Sequence, residues 1–302
     1  MQYTTITSVV YRGITYTGPF TINGLASYGI KVYESGIATD GTNLAGVVRI
    51  QQRVARYDVD VQECINAGVI IVACAMNESY KITTDPNDVD YNNTVTATGS
   101  NSGNPIYYNR GPSPGAASNV ICVGAISNSI DSPGADRKAN FSNCGPRVDV
   151  FAPGAMIAGA LLTPVIMPPA TTDNPIPVPN PSYPTPVPDP RNGAYYIAKF
   201  SGTSMASPQV CGILACALEL NPLMNQAAAL TYITQAAGVD QIPATTGGPT
   251  DVYDLQGAPN RYLSLPNNLK FGIESWVANN NIIVNAITSD GAYNFSGGRD
   301  TA

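Results

Sequence analysis

AGVIIVACAMNES, residues 67–79, decides the architecture. Its first two residues, Ala67-Gly68, close a run with helical spacing, and glycine is the usual residue just past a helix end. The next eight, VIIVACAM (69–76), are continuously apolar and rich in β-branched side chains, as in a strand covered on both faces. A helix feeding such a strand is the repeating unit of a parallel α/β sheet. Upstream, GVVRIQQRVARYDVDVQECIN (46–66) spaces its apolar residues as a helix. Downstream, NVICVGAI (119–126) reads as a second buried strand, and VDVFAPG (148–154) as a third that ends in a Pro-Gly turn.

The small residues of SGTSMASP (201–208) let a backbone turn sharply and approach another group closely. Ser207 and Pro208 suit the start of a helix over 208–220, and a second helix follows Asn221-Pro222. Ser204 then lies where helix N–H groups and the helix dipole favour negative charge. The pattern admits a plain N-cap, or a nucleophile whose attack creates an oxyanion.

The remaining segments are less regular. Residues 1–45 read as short strands and loops, an irregular N-terminal segment. Residues 78–118 are polar and rich in Asn, Asp, Gly and Pro, as in a long surface excursion. Residues 164–190 hold eleven of the 25 prolines, which favours extended polyproline geometry within an insertion over 160–197. The organisation expected is thus a 46–238 core with two insertions, followed by a 239–302 C-terminal extension. No internal repeat is evident.

With 302 residues, 44% hydrophobic and 12% charged, the chain can bury a sizeable core. A net charge of −6 and the lack of a basic stripe argue against nucleic acid as a partner. No signal peptide and no membrane span are read in the sequence. Six cysteines occur without a CxxC pair, so zinc is not expected, and buried free thiols of a reducing compartment are expected rather than disulfides. There is no histidine anywhere, so no mechanism that needs an imidazole base can be completed by this chain alone.

Three stretches in this order, AGVIIVACAMNES, NVICVGAI…KANFSNCGPRVDVFAPG (119–154) and SGTSMASP, resemble the C-terminal half of subtilases, the subtilisin-like serine peptidases. The resemblance covers about residues 46–238. It implies a three-layer α/β domain with a parallel sheet, lacking the family's N-terminal part, and a polypeptide as substrate. Ser204 takes the nucleophile position and Asn77 the oxyanion position. Met76 stands where the family has a glycine lining the pocket for the substrate side chain before the cleaved bond. A narrower resemblance, carried by low charge, Asn/Tyr/Pro richness and YRGITYTGPFT (11–21), is to subtilase-like proteins of tailed phages of marine bacteria. It implies a virion or host-cytoplasm setting.

The departures from the family are as informative. The Asp-Thr/Ser-Gly and His-Gly-Thr motifs that supply the other two catalytic groups are missing, as is the Ser-x-Gly strand that pairs with substrate. The chain is therefore expected to be the Ser- and Asn-bearing part of a serine endopeptidase, inactive alone. The alternative is a catalytically dead virion structural or interaction protein. The partners expected are an N-terminal protease segment or other virion subunits. Asp58, Asp60 and Glu63 form an acidic cluster of the kind a sedolisin-type base would need, but a solvated helix face is the favoured reading. Lys199 is too near Ser204 in sequence to be easily aimed at it. No cofactor is expected. Asp85, Asn87, Asp88 and Asp90 alternate oxygen ligands that could hold calcium, and turn formation is the plainer reading.

Overall fold

The computed structural model describes residues 2–38, 45–99, 103–127, 136–161, 187–190, 192–265, 284–287 and 293–295. The chain opens with β1 (Gln2–Tyr11), β2 (Ile14–Thr17), α1 (Ile22–Ser27), β3 (Val32–Ala38) and β4 (Ala45–Arg49). Next come α2 (Ala55–Asn66), β5 (Val72–Cys74), β6 (Thr94–Gly99), β7 (Ile106–Tyr107), β8 (Ile121–Ser127), β9 (Arg137–Lys138) and β10 (Val150–Pro153). The rest comprises β11 (Ile157–Leu161), β12 (Val187–Asp189), β13 (Asn192–Phe200), α3 (Thr203–Leu220), α4 (Gln226–Ala236), β14 (Gly238–Val239) and β15 (Arg261–Tyr262). A short hairpin, Val284–Ile287 with Tyr293–Phe295, lies in the C-terminal region.

The central sheet runs β14-β15-β10-β8-β5, and β5, β8, β10 and β15 are mutually parallel. The apolar runs at 69–76, 119–126 and 148–154 do form neighbouring strands, and β8 is covered on both faces. Its side chains alternate, as a strand requires. Ile121, Val123 and Ala125 pack with Val210, Leu214 and Ile233 of α3 and α4, while Cys122 and Ile126 enter a second core with Ile6, Val9, Val95 and Phe151. Gly124 sits where a Cβ would come within 2.4 Å of the Phe151 ring, so the strand can pass there only without a side chain.

Several sequence expectations change. Residues 46–66 are not one helix: β4 takes 45–49 and the helix starts at Ala55. Local spacing cannot reveal that Val48 pairs with both Val32 and Tyr3 in a sheet. The N-terminal segment is ordered as that antiparallel sheet, β3-β4-β1-β6-β7, with β2 beside β1. It covers the face of the central sheet opposite α3 and α4, giving three layers.

Residues 78–118 are not a surface excursion. Tyr80, Ile82, Val95, Ala97 and Tyr108 are buried, and β6 pairs with β1 from Val10/Thr94 to Tyr3/Gly99. The core does not stop at 238, because β15 joins β10 and Ile242, Leu255 and Leu263 are buried. The proline-rich 162–186 lies outside the described residues, while its flanks form the antiparallel sheet β11-β13-β12. All six cysteines are free. Cys122 and Cys144 are buried as expected, but Cys64, Cys211 and Cys216 are exposed.

Candidate functional site

The site forms where the C-terminal ends of β5 and β10 meet the start of α3. The helix begins at Thr203, five residues before the expected Pro208, so that proline lies inside it. Proline has no N–H, so the Ser204 carbonyl receives no hydrogen bond from residue 208 in the usual i to i+4 ladder. Gly154, at the end of β10, accepts a hydrogen bond from Gly202 N–H at 2.7 Å. A Cβ on Gly154 would lie 2.6 Å from Ala125 Cβ and 2.9 Å from Gly202 O, so glycine is what permits this approach. Gln209 Nε2 donates to Pro153 O and Met205 O, tying the first turn of α3 to the same strand.

Asn77 is held from two sides. Its Oδ1 accepts from Thr203 N–H at 2.8 Å and from Thr203 Oγ1 at 2.9 Å, which fixes the amide plane against the helix start. The turn that carries it is clamped by Asn143. That side chain donates to Ala75 O at 2.7 Å and accepts from Tyr80 N–H at 2.9 Å, while Asn143 N–H donates to Met76 O. The KANFSNCG stretch thus acts as a brace for residues 75–80. Met76 has φ +75°, in the left-handed region where glycine is favoured.

Ser204 is exposed on the first turn of α3. Its Oγ lies 4.0 Å from Cys74 Sγ, which in turn lies 3.8 Å from Met76 Sδ. The structure therefore gathers Ser204, Asn77 and Met76, which the sequence singled out, around two residues it did not. Thr203 sits within the quoted SGTS, and its anchoring role was readable only as adjacency to Ser204. Cys74 carried no signal beyond its place in an apolar strand.

The other candidates fall elsewhere. Asp58 is ion-paired to Arg53 at 2.7 Å on α2. That helix packs through Val61 and Ile65 against Ala73, whose side chain is on the sheet face opposite Cys74. Asp58, Asp60 and Glu63 are thereby separated from Ser204 by the sheet. Lys199 is exposed on β13. Lys81 Nζ lies 2.7 Å from both Asp88 and Asp90, and Arg12 pairs with Asp90 at 2.8 Å. Asp85 accepts from Asn87 N–H in a turn. Asp88 and Asp90 are thus neutralised by the chain's own cations, and among the described residues no cluster of acidic, Cys or His groups is arranged to hold a metal. No described helix is long and apolar enough to cross a membrane.

Two further features border the site. Ile121 N–H donates to Ile71 O, and Ala75 N–H to Val123 O. Residues 71, 73 and 75 thus turn inward to β8, and Val72 and Cys74 turn their peptide groups to the outer edge. No other strand pairs there among the described residues. Along α3, the outer face of Cys211, Gly212, Ala215 and Cys216 is exposed.

A region of 124 residues is 34% identical to subtilisin-like protease 8 of Arthroderma otae, covering 41% of this chain and 18% of that protein. Another of 143 residues is 34% identical to the subtilisin-like serine protease Cla h 9.0101 of Davidiella tassiana, covering 46% of this chain and 21% of that protein. The chain thus spans about a fifth of the length of these curated relatives. Among solved structures, a cold-adapted subtilisin-like serine proteinase aligns with a TM-score of 0.42 at 20% identity, over 82% of this chain and 63% of that one. The subtilase family itself matches residues 26–262, most of the chain, and the protein belongs to that family.

Proposed function

We propose that this chain carries the acyl-accepting half of a subtilisin-like serine endopeptidase site, with polypeptide as its substrate and no competent base of its own. The observation that supports this reading is the exposed Ser204 on the first turn of α3, beside an Asn77 whose amide is anchored by Thr203. A tetrahedral intermediate needs donors fixed in advance, and a helix start plus a clamped Asn meet that need. In subtilisin itself, loss of the histidine lowers kcat by about 10⁶, a figure from that enzyme rather than from this chain. With no histidine in 302 residues, the isolated chain is close to inert as a peptidase.

The base then comes from another polypeptide segment. The exposed small-residue face of α3 offers such a segment a seat on the helix that carries Ser204, while the outward carbonyl of Cys74 is already covered by Gly115. The narrower setting, a virion component of a tailed phage in which the scaffold serves structure instead of catalysis, rests on sequence resemblance alone. Fluorophosphonate labelling of the purified chain tests the reading. The expected result is no Ser204-dependent labelling in buffer, and labelling at Ser204 once free imidazole is added as a surrogate base. Strong labelling without imidazole that disappears in Ser204→Ala would overturn the claim of inactivity. No labelling with imidazole would overturn the acyl-site reading.

A further inference from the structure

We propose that a cavity at the start of α2 binds the C-terminal end of a peptide, with the carboxylate on Arg110 and the last amide N–H on Asp58. The cavity measures about 350 Å³ and is lined by Arg53, Ala55, Asp58, Thr84, Tyr91 and Arg110. That is the lower end of the size range of ligand pockets, enough for the last residues of a chain. It belongs to the α2 side of the central sheet, which separates Asp58 from Ser204, so the proposal does not rest on the acyl-site reading. Its walls are tied together. Arg53 Nη1 donates to Ala116 O at 2.8 Å, and Arg53 Nε donates to Asp58 Oδ2 at 2.7 Å. Ser113 Oγ accepts from Val54 N–H at 2.8 Å, which joins the start of α2 to the 110–116 loop.

Arg110 is the anchor. Its Nε donates to Tyr91 O at 3.2 Å and its Nη2 to Asn92 Oδ1 at 2.9 Å. Its Cζ lies 3.3 Å from the centre of the Tyr107 ring and 4.3 Å from that of Tyr91. The guanidinium is thus fixed in advance, so little freedom is lost when a ligand arrives. Among the described residues no carboxylate pairs with it, and its Nη1 makes no hydrogen bond. Asp58 supplies the second, independent mark. Arg53 takes up Oδ2, while Oδ1 is buried without a hydrogen-bond partner. A buried acceptor left in that state is costly, and a ligand N–H would satisfy it. No side chain caps the start of α2, so its free N–H groups add to the positive field at Ala55.

These groups together select the ligand. Among the lining residues two guanidiniums stand against one carboxylate, which leaves one positive charge over. That suits a carboxylate better than a dianionic phosphate, and the planar guanidinium fork matches a planar carboxylate. A carboxylate with an amide N–H on the adjacent carbon is the end of a peptide chain.

The test is calorimetric titration of the full chain with acetyl-alanyl-phenylalanine, its C-terminal amide, sodium acetate and inorganic phosphate. The free acid should bind, and the amide at least roughly tenfold more weakly, as loss of a charge-assisted hydrogen bond implies. Acetate and phosphate should also bind more weakly than the peptide acid. Backbone amide shifts caused by the free acid should centre on residues 53–58, 84, 91 and 110. Arg110→Gln, checked as folded by circular dichroism, should lose at least roughly tenfold in affinity, with Arg110→Lys between it and wild type. Ser204→Ala should bind as wild type does. Equal binding of acid and amide by wild type would overturn the proposal with no variant needed. Full affinity in folded Arg110→Gln, or shifts centred on Asn77 and Ser204, would overturn it too. Acetate or phosphate binding as tightly as the peptide acid would overturn the assignment to a peptide end. None of these outcomes alters the labelling of Ser204 in imidazole, so this proposal and the acyl-site reading fail separately.

Discussion

Replacing Arg147 by Ala should destabilise the fold more than almost any other single polar change. Its side chain is 9% exposed, and its guanidinium makes three contacts at once. It donates to Val120 O at 2.6 Å, to Ala117 O at 3.0 Å and to Asp149 Oδ2 at 2.8 Å. Asp149 Oδ2 also accepts from the buried Cys122 N–H at 2.8 Å, so the arginine anchors the start of β8 through two routes. Truncation leaves two carbonyls of buried residues without a partner and a largely buried carboxylate without its counter-charge.

An unpaired buried polar group costs about 1–3 kcal/mol. Breaking a buried ion pair by removing one partner costs about 3–5 kcal/mol. These overlap, since the same desolvation is counted in both, so the loss expected is about 3–5 kcal/mol rather than their sum. That is a large part of the roughly 5–15 kcal/mol that holds a domain together. Urea unfolding followed by circular dichroism measures it, with Arg147→Lys as the comparison. Lysine keeps the charge but not the planar fork, so its loss should fall between wild type and Arg147→Ala. A loss below about 1 kcal/mol in Arg147→Ala would mean that water replaces the guanidinium, and the bracing argument would fail.

Two further outcomes follow from the same structure. Burial works to raise the pKa of Asp90, but hydrogen bonds from Arg12 and Lys81 outweigh it and hold the carboxyl below the usual carboxylate range. A depressed folded value means stability that is present above the unfolded value of about 3.9 and lost as pH falls through the folded one. The gap in urea midpoint between wild type and Asp90→Asn should therefore be full at pH 7 and close below about pH 4; a gap that persists in acid contradicts the assignment. Met76 stands at φ +75° beside Cys74 and the Ser204 cleft. Met76→Gly should relieve that backbone and open the cleft, speeding labelling of Cys74 by a bulky aromatic maleimide more than by iodoacetamide. An unchanged ratio of the two rates would show that Met76 does not fill the cleft.

The sequence alone determined the elements whose signals are local. VIIVACAM, NVICVGAI and VDVFAPG declared themselves as buried strands because each is apolar throughout and bounded by a turn residue. SGTSMASP declared a sharp turn into a helix, and the order of these stretches singled out Ser204 and Asn77 as candidates. The count of histidines closed off one mechanism with no structure needed. Everything that depends on distant pairing was hidden. Val48 reads as helical until Val32 and Tyr3 are beside it, and residues 78–118 read as surface until β6 meets β1 some ninety positions earlier. The acidic 85–90 loop looked like a cation site because Lys81 and Arg12 could not be placed next to it from the sequence. Cys74 is one apolar-strand cysteine among others until the end of β5 is set against the first turn of α3. Only the tertiary structure could decide that, because alternation along the strand and the docking of the helix together choose which side chain touches Ser204.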